Sequence, residues 1–184
     1  MMRFEALPIE GCARVIQPRH ADSRGHFGRI YCREQFSQEL PEVVQINHSF
    51  SAANHTLRGL HYQIPPHGES KLVRCLRGRM YDVLLDMRPN SETFGKWTAE
   101  ILDGDDRKMI LIAPGVSHGF MTMAPNTELM YMVSAAYAQE SERGVRYNDP
   151  AFEIQWPATP AVISPKDAGL PDYDPLQHWP LVLG

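Results

Sequence analysis

No apolar run in this chain of 184 residues approaches the ~20 residues that cross a bilayer. Met1-Met2-Arg3-Phe4-Glu5 also lacks the apolar core of a secretory signal. A basic block is missing as well: 18 Lys and Arg are interspersed with 22 Asp and Glu, for a formal charge of -4. Such a mixture offers nothing that would track a phosphate backbone, so neither nucleic acid nor membrane is an expected partner. The three cysteines, Cys12, Cys32 and Cys75, are odd in number and show none of the short paired spacings of zinc or redox sites. They read as small buried or half-buried residues. Internal repeats and low-complexity tracts are absent, and a helical period is hardly found. By elimination we expect a cytoplasmic protein, and 43% hydrophobic with 22% charged residues suits one globular core over residues 1–184.

What the chain does have is a succession of short apolar-polar runs bounded by Gly, Pro, Asn or Asp. Strands are expected at Gly11 to Ile16, His26 to Cys32, Val43 to Phe50, Leu57 to Gln63, Ser70 to Leu76 and Arg79 to Met87. Others follow at Thr98 to Leu102, Met109 to Ala113, His118 to Met123 and Thr127 to Ala136. One short helix is expected from Glu34 to Leu40, stopped by Pro41. Many short strands with regular turns predict an all-β antiparallel sandwich or barrel. After Pro150 the composition becomes Pro-rich, and a segment of this kind, here 157–184, is expected to wrap the core.

Chemistry concentrates at Arg58, His61 and Lys71. The motifs around them, in order, are Asp22-x-Arg24-Gly25-x-Phe27, Gln45-x-Asn47-x-Ser49, Arg58-Gly59-Leu60-His61, Lys71-Leu72-Val73-Arg74, Asp82-Val83 and Asp86-x-Arg88. Then come Ser91-x-Thr93-Phe94-Gly95, Pro114-Gly115-Val116-Ser117-His118-Gly119-Phe120, Trp156-Pro157 and Ser164-x-Lys166-Asp167. Over nearly its whole length the chain resembles the nucleotide-sugar epimerases typified by dTDP-4-dehydrorhamnose 3,5-epimerase.

The resemblance implies a cupin-type jelly roll with a few short helices, a homodimer with exchanged N-terminal strands, and no metal or organic cofactor. It implies a nucleoside-diphosphate 4-keto-6-deoxy sugar as substrate, inverted at C3, at C5 or at both. By position it makes His61 the base, Asp167 its partner and Tyr131 the acid, with Lys71 and Arg58 around the developing oxyanion and the phosphates. Arg24, Gln45, Asn47, His118, Glu142 and Lys166 fall at further substrate-binding positions.

These residue types suit that chemistry. Taking a proton from carbon beside a ketone needs a base near neutral, and a free imidazole, at ~6.5, meets the demand. A carboxylate on its far nitrogen fixes the tautomer and supports the imidazolium. A fixed ammonium in a dry pocket stabilises the enolate oxygen. Inversion then needs a proton delivered to the opposite face, the part given to Tyr131, with Tyr137 expected on the same side of its strand if the alternation is unbroken. From pattern alone both tyrosines read better as strand core with the hydroxyl at the rim. Asp82 and Asp86 are read as sheet residues paired with Arg74 or Arg88, not as a catalytic carboxylate pair.

One position departs from the family. Where the rhamnose-pathway enzymes carry a glutamate two residues after the Phe of the first motif, this chain has Arg29. Arginine presents only donors, which suits guanine or cytosine better than the N3–H of thymine, so a GDP- or CDP-linked sugar is one expectation. An Arg29 turned outward or onto a phosphate is the other. Two further classes compete with the epimerase. A metal-dependent cupin isomerase or dioxygenase wants a His-x-His pair where this chain has His61-Tyr62-Gln63. A non-catalytic sugar-nucleotide-binding module would have little use for His61, Lys71 and Tyr131 together.

Overall fold

Alternating side chains on short strands leave each strand with one face to bury, and here two antiparallel sheets bury those faces against each other. The computed structural model describes residues 1–36, 40 and 42–178. Its strands are β1 (Arg3–Ala6), β2 (Ala13–Ile16), β3 (His20–Asp22), β4 (Gly25–Phe27), β5 (Gln45–Ser51), β6 (Thr56–Gln63), β7 (Lys71–Arg77), β8 (Arg79–Asp86), β9 (Trp97–Asp103), β10 (Lys108–Ile112), β11 (Val116–Thr122), β12 (Thr127–Val133), β13 (Glu142–Gly144) and β14 (Val162–Ile163). Two short helices, α1 (Pro165–Ala168) and α2 (Pro175–His178), close the described chain. One sheet runs β1-β2-β10-β7-β12-β5 and the other β13-β6-β11-β8-β9, with β14 added in parallel to β6. This is the jelly roll expected of the sequence.

Val73, Cys75, Met80, Leu84, Leu102, Ile110 and Leu129 fill the space between the sheets, all of them buried. The outer faces are covered too. Leu60, Tyr62, Val83 and Leu85 on the second sheet, with Met87 just past β8, lie under Phe152, Ile154, Trp156 and Tyr173 from the Pro-rich stretch. Val15, Leu72, Met109, Leu111 and Met132 on the first lie under Met2, Phe36 and Leu40. Strands buried on both faces explain why Val83-Leu84-Leu85 is a continuous apolar run. Each such large side chain contributes about 1.5–3 kcal/mol on burial, enough to hold an otherwise irregular C-terminal segment in place. Cys12 and Cys75 are buried and Cys32 half-buried, and burial pushes both Cys12 and Cys75 up to about 11.

Four local expectations need correction. The strand expected from His26 to Cys32 stops at Phe27, and at Gly28, just past it, a Cβ would come within 2.6 Å of Gln17 and Pro18. Only Arg33–Gln35 of the expected Glu34 to Leu40 helix forms a 3-10 turn, while residues 37–39 and Pro41 lie outside the described residues. The last long strand ends at Val133, so Tyr137 sits on the following loop and not in phase with Tyr131. Asp82 does not meet Arg74: Arg74 leaves β7 on the face opposite Lys71 and donates to Gln17 Oε1 at 2.7 Å. Asp86 does bind Arg88, at 2.6 Å. Of the Pro-rich segment, residues 179–184 lie outside the described residues.

Candidate active site

The sheets part at one end around a cavity of about 560 Å³. On the wall formed by the second sheet, β6 carries a bulge. His61 pairs with His118 and Arg58 with Phe120, so three steps along β6 match two along β11. Without the bulge, residues three apart would face opposite sides of the strand; with it, Arg58 and His61 both line the cavity. Gly59 permits the close approach, at φ +106° with a Cβ position only 2.6 Å from the Gly119 Cα.

His61 Nε2 lies 2.8 Å from Asp167 Oδ1, and Gly59 N donates to the other oxygen at 3.3 Å. Asp167 reaches this place because β14 pairs with the start of β6, Val162 opposite Thr56, and leads straight into α1. Ser164 caps α1 by accepting from Asp167 N at 3.0 Å, and Pro165 follows it. Burial alone would raise the Asp167 carboxyl. The His61 hydrogen bond and charge, the Gly59 amide and Ser164 outweigh it and hold the group below the usual carboxylate range. Asp167 is thus ionised at neutral pH and fixes the imidazole proton on Nε2.

A second histidine faces the same space. His118 Nε2 lies 2.6 Å from Asp82 Oδ1, and Asp82 is fully buried. This partner escaped the sequence reading; the signal was there in register, since Asp82 on β8 faces Phe120 on β11 and so shares a side with His118.

The first sheet supplies the opposite wall. Lys71, Tyr131, Gln45 and Asn47 project from β7, β12 and β5, with Tyr131 opposite both Asn47 and Val73. Gln45 Nε2 donates to Asn47 Oδ1 at 2.8 Å. Lys71 Nζ donates to the His61 carbonyl at 3.3 Å and lies 3.0 Å from Glu69 Oε1, a carboxylate the sequence reading passed over. Burial raises the Tyr131 phenol, the Glu69 charge adds to the rise and Arg58 opposes it, so the phenol stays protonated at neutral pH.

At the mouth, Glu142 accepts from Tyr137 Oη at 2.9 Å and from Lys166 Nζ at 2.7 Å. The Glu142 hydrogen bond raises both Tyr137 and Lys166. Glu142 itself is held low: burial raises it, but Lys166, Tyr137 and the His61 charge outweigh that. Arg58 donates to the Phe50 carbonyl at 3.1 Å from the rim.

Two predicted residues stay apart from this cavity. Arg24 sits at the tip of the β3–β4 hairpin, 87% exposed and paired with Asp22, and Arg29 is exposed just beyond it. The hairpin pairs with no other strand of the described residues. Among the described residues, no three His, Cys, Asp or Glu side chains converge as a metal would need.

Residues 6–174 match the family model described as dTDP-4-dehydrorhamnose 3,5-epimerase. A dTDP-4-dehydrorhamnose 3,5-epimerase of Sinorhizobium fredii is 40% identical over 174 residues, covering 92% of this chain and 89% of that protein. Its Escherichia coli counterpart is 38% identical over 173 residues, covering 91% and 93%. The crystal structure of the Bacillus anthracis enzyme of the same name, with TDP and pyrophosphate bound, superposes with a TM-score of 0.89 at 34% identity, covering 94% of this chain and all of that one. Match, identity and superposition agree along nearly the whole chain, which is therefore a member of the dTDP-4-dehydrorhamnose 3,5-epimerase family of sugar epimerases.

Proposed function

We propose that this protein inverts C3 and C5 of a dTDP-linked 4-keto-6-deoxy sugar by proton transfer on opposite faces of the ring. The observation that carries the reading is the placing of a carboxylate-bound imidazole, His61, and a protonated phenol, Tyr131, on opposite sheets around one cavity. His61, its tautomer set by Asp167, takes the proton beside the ketone. Lys71 stabilises the oxygen of the enolate that results. Tyr131 returns a proton from the other wall, and the new centre has inverted. Arg58 at the rim answers the diphosphate with a fork of donors, and His118, held by Asp82, donates to the sugar or the phosphate beside it. Gln45, Asn47, Tyr137, Glu142 and Lys166 meet the nucleoside at the mouth.

Both inverted carbons and the thymidine nucleotide are taken from relatives named as 3,5-epimerases of dTDP-4-dehydrorhamnose, whereas a Streptomyces niveus relative 34% identical to this chain is named a 3-epimerase. The GDP or CDP reading of Arg29 has no counterpart in those names. We further propose a homodimer in which the β3–β4 hairpin of one protomer carries Arg24 and Arg29 to the substrate of its partner. The support is a hairpin that stands off its own barrel with Phe27 68% exposed, and an edge strand, β5, that presents Ile46 and Phe50 outward. In the single chain β1 pairs with its own β2, so the exchanged element we propose is the hairpin rather than β1.

Incubation with the 4-keto-6-deoxy sugar in deuterated water tests the reaction, and calorimetry with dTDP, GDP and CDP tests the nucleotide. Deuterium at C3 and C5 of an inverted product, with dTDP bound most tightly, is the expected result. Failure of deuterium to enter either position would end the epimerase reading.

A further inference from the structure

Glu69 has no part in the reaction as described, yet it is 8% exposed and lines the same cavity. It lies two residues before Lys71, on the same inward side of the chain as β7 begins. Its Oε1 holds the Lys71 ammonium at 3.0 Å, while Oε2 is buried and has no hydrogen-bond partner among the described residues. A carboxyl oxygen removed from water without a donor is costly, and native structures keep such an atom where something else will satisfy it. We propose that Glu69 determines specificity by accepting a hydrogen bond from the C3 hydroxyl of the sugar while Lys71 takes the adjacent ketone oxygen.

The proposal rests on the epimerase reading and extends it. With the C4 oxygen on Lys71, the neighbouring carbons are C3, which bears a hydroxyl, and C5, which bears a methyl group. Only the C3 side offers a donor. Oxygens on adjacent ring carbons lie about as far apart as hydrogen-bonded atoms, so an ammonium and a carboxylate already 3.0 Å apart form a matching pair for them. The terminal torsion of glutamate is broad, so the carboxylate turns on Lys71 to present its second oxygen to the cavity. The contact gives the site a reason to choose a 3-hydroxylated ring over one that is deoxygenated there, because the deoxy sugar would leave the buried oxygen unpaired.

The test measures kcat/KM for solvent-deuterium incorporation beside the ketone, using a dTDP-linked 4-keto-6-deoxy sugar and its 3-deoxy analogue. Wild type is expected to favour the 3-hydroxylated sugar by at least about tenfold, the usual value of a hydrogen bond to a charged group. Glu69→Ala should bring the two substrates within about twofold of each other, and Glu69→Gln, which keeps the volume, should lower the preference in the same direction if the alanine variant does not fold. A residue that only positions Lys71 would slow both substrates equally and leave the ratio at its wild-type value. That outcome, or a wild type with no preference, overturns the proposal. A wild type that exchanges neither sugar would instead strike at the epimerase reading itself.

Discussion

An imidazole in water carries its proton on either nitrogen, and a base that must act in one direction cannot keep that freedom. Asp167 removes it from His61, at the expense of burying a carboxylate that is 4% exposed. The expense is bearable because His61 and the Gly59 amide donate to the anion and Ser164 helps to hold its carboxyl low. His61→Ala should lower kcat for solvent exchange by about 10²–10⁴ with the fold intact, as loss of a general base does. Asp167→Asn keeps the shape but lets the amide accept or donate, so kcat should fall at least about tenfold while KM stays within a factor of a few. Steady-state kinetics on the two variants checks both. An Asp167→Asn enzyme with unchanged kcat would show that Asp167 only ties α1 to β6. Tyr131 shifts the other way: burial and then Glu69 raise the phenol, which keeps its proton at neutral pH, as the proposed acid must.

Elements decide which of these residues meet. Alternation and turn chemistry made most of the inner strands legible in the sequence, from Leu57-Arg58-Gly59-Leu60-His61 through Thr127 to Val133, because those signals are local. The β6 bulge was not legible: it depends on Gly59 meeting Gly119 of another strand. Nor was the Asp82–His118 pair, whose spacing of 36 residues means something only once β8 and β11 are in register. The first motif pointed to Arg24 and Arg29 as site residues, but the single chain leaves both on an outlying hairpin. The connection after β8 permits a test at this scale. Asp86 accepts from the Arg88 amide and guanidinium, Ser91 Oγ and Thr93 Oγ1, which together overcome the upward push of burial and hold it at about 2. A carboxyl lowered on folding stabilises the native state above its unfolded pKa of ~3.9, and that stabilisation is lost as pH falls toward 2. Asp86→Asn should therefore cost about 2 kcal/mol at pH 7 and much less near pH 2.5. Urea unfolding at the two pH values measures the difference, and a gap that does not narrow in acid would mean that the turn depends on shape rather than charge.

At the scale of the whole molecule, the jelly roll does what a single sheet cannot: it sets His61 on one wall of a cavity and Tyr131 on the other, the arrangement that the proposed base and acid need. If the hairpin of one protomer completes the site of its partner, an Arg24→Ala protein and a His61→Ala protein, each weakly active, should recover activity when unfolded and refolded together. Each mixed dimer would then contain one intact site, which is roughly a quarter of all sites after random pairing. No recovery would place Arg24 in its own chain's site or outside the reaction. The proposed reaction needs the two walls to act on opposite faces, and Tyr131→Phe in deuterated water reads this directly. With the acid removed and His61 in place, the sugar should still take up deuterium beside the ketone with its configuration retained, while inverted product falls by at least about a hundredfold. Inverted product at the wild-type rate in that variant would contradict it.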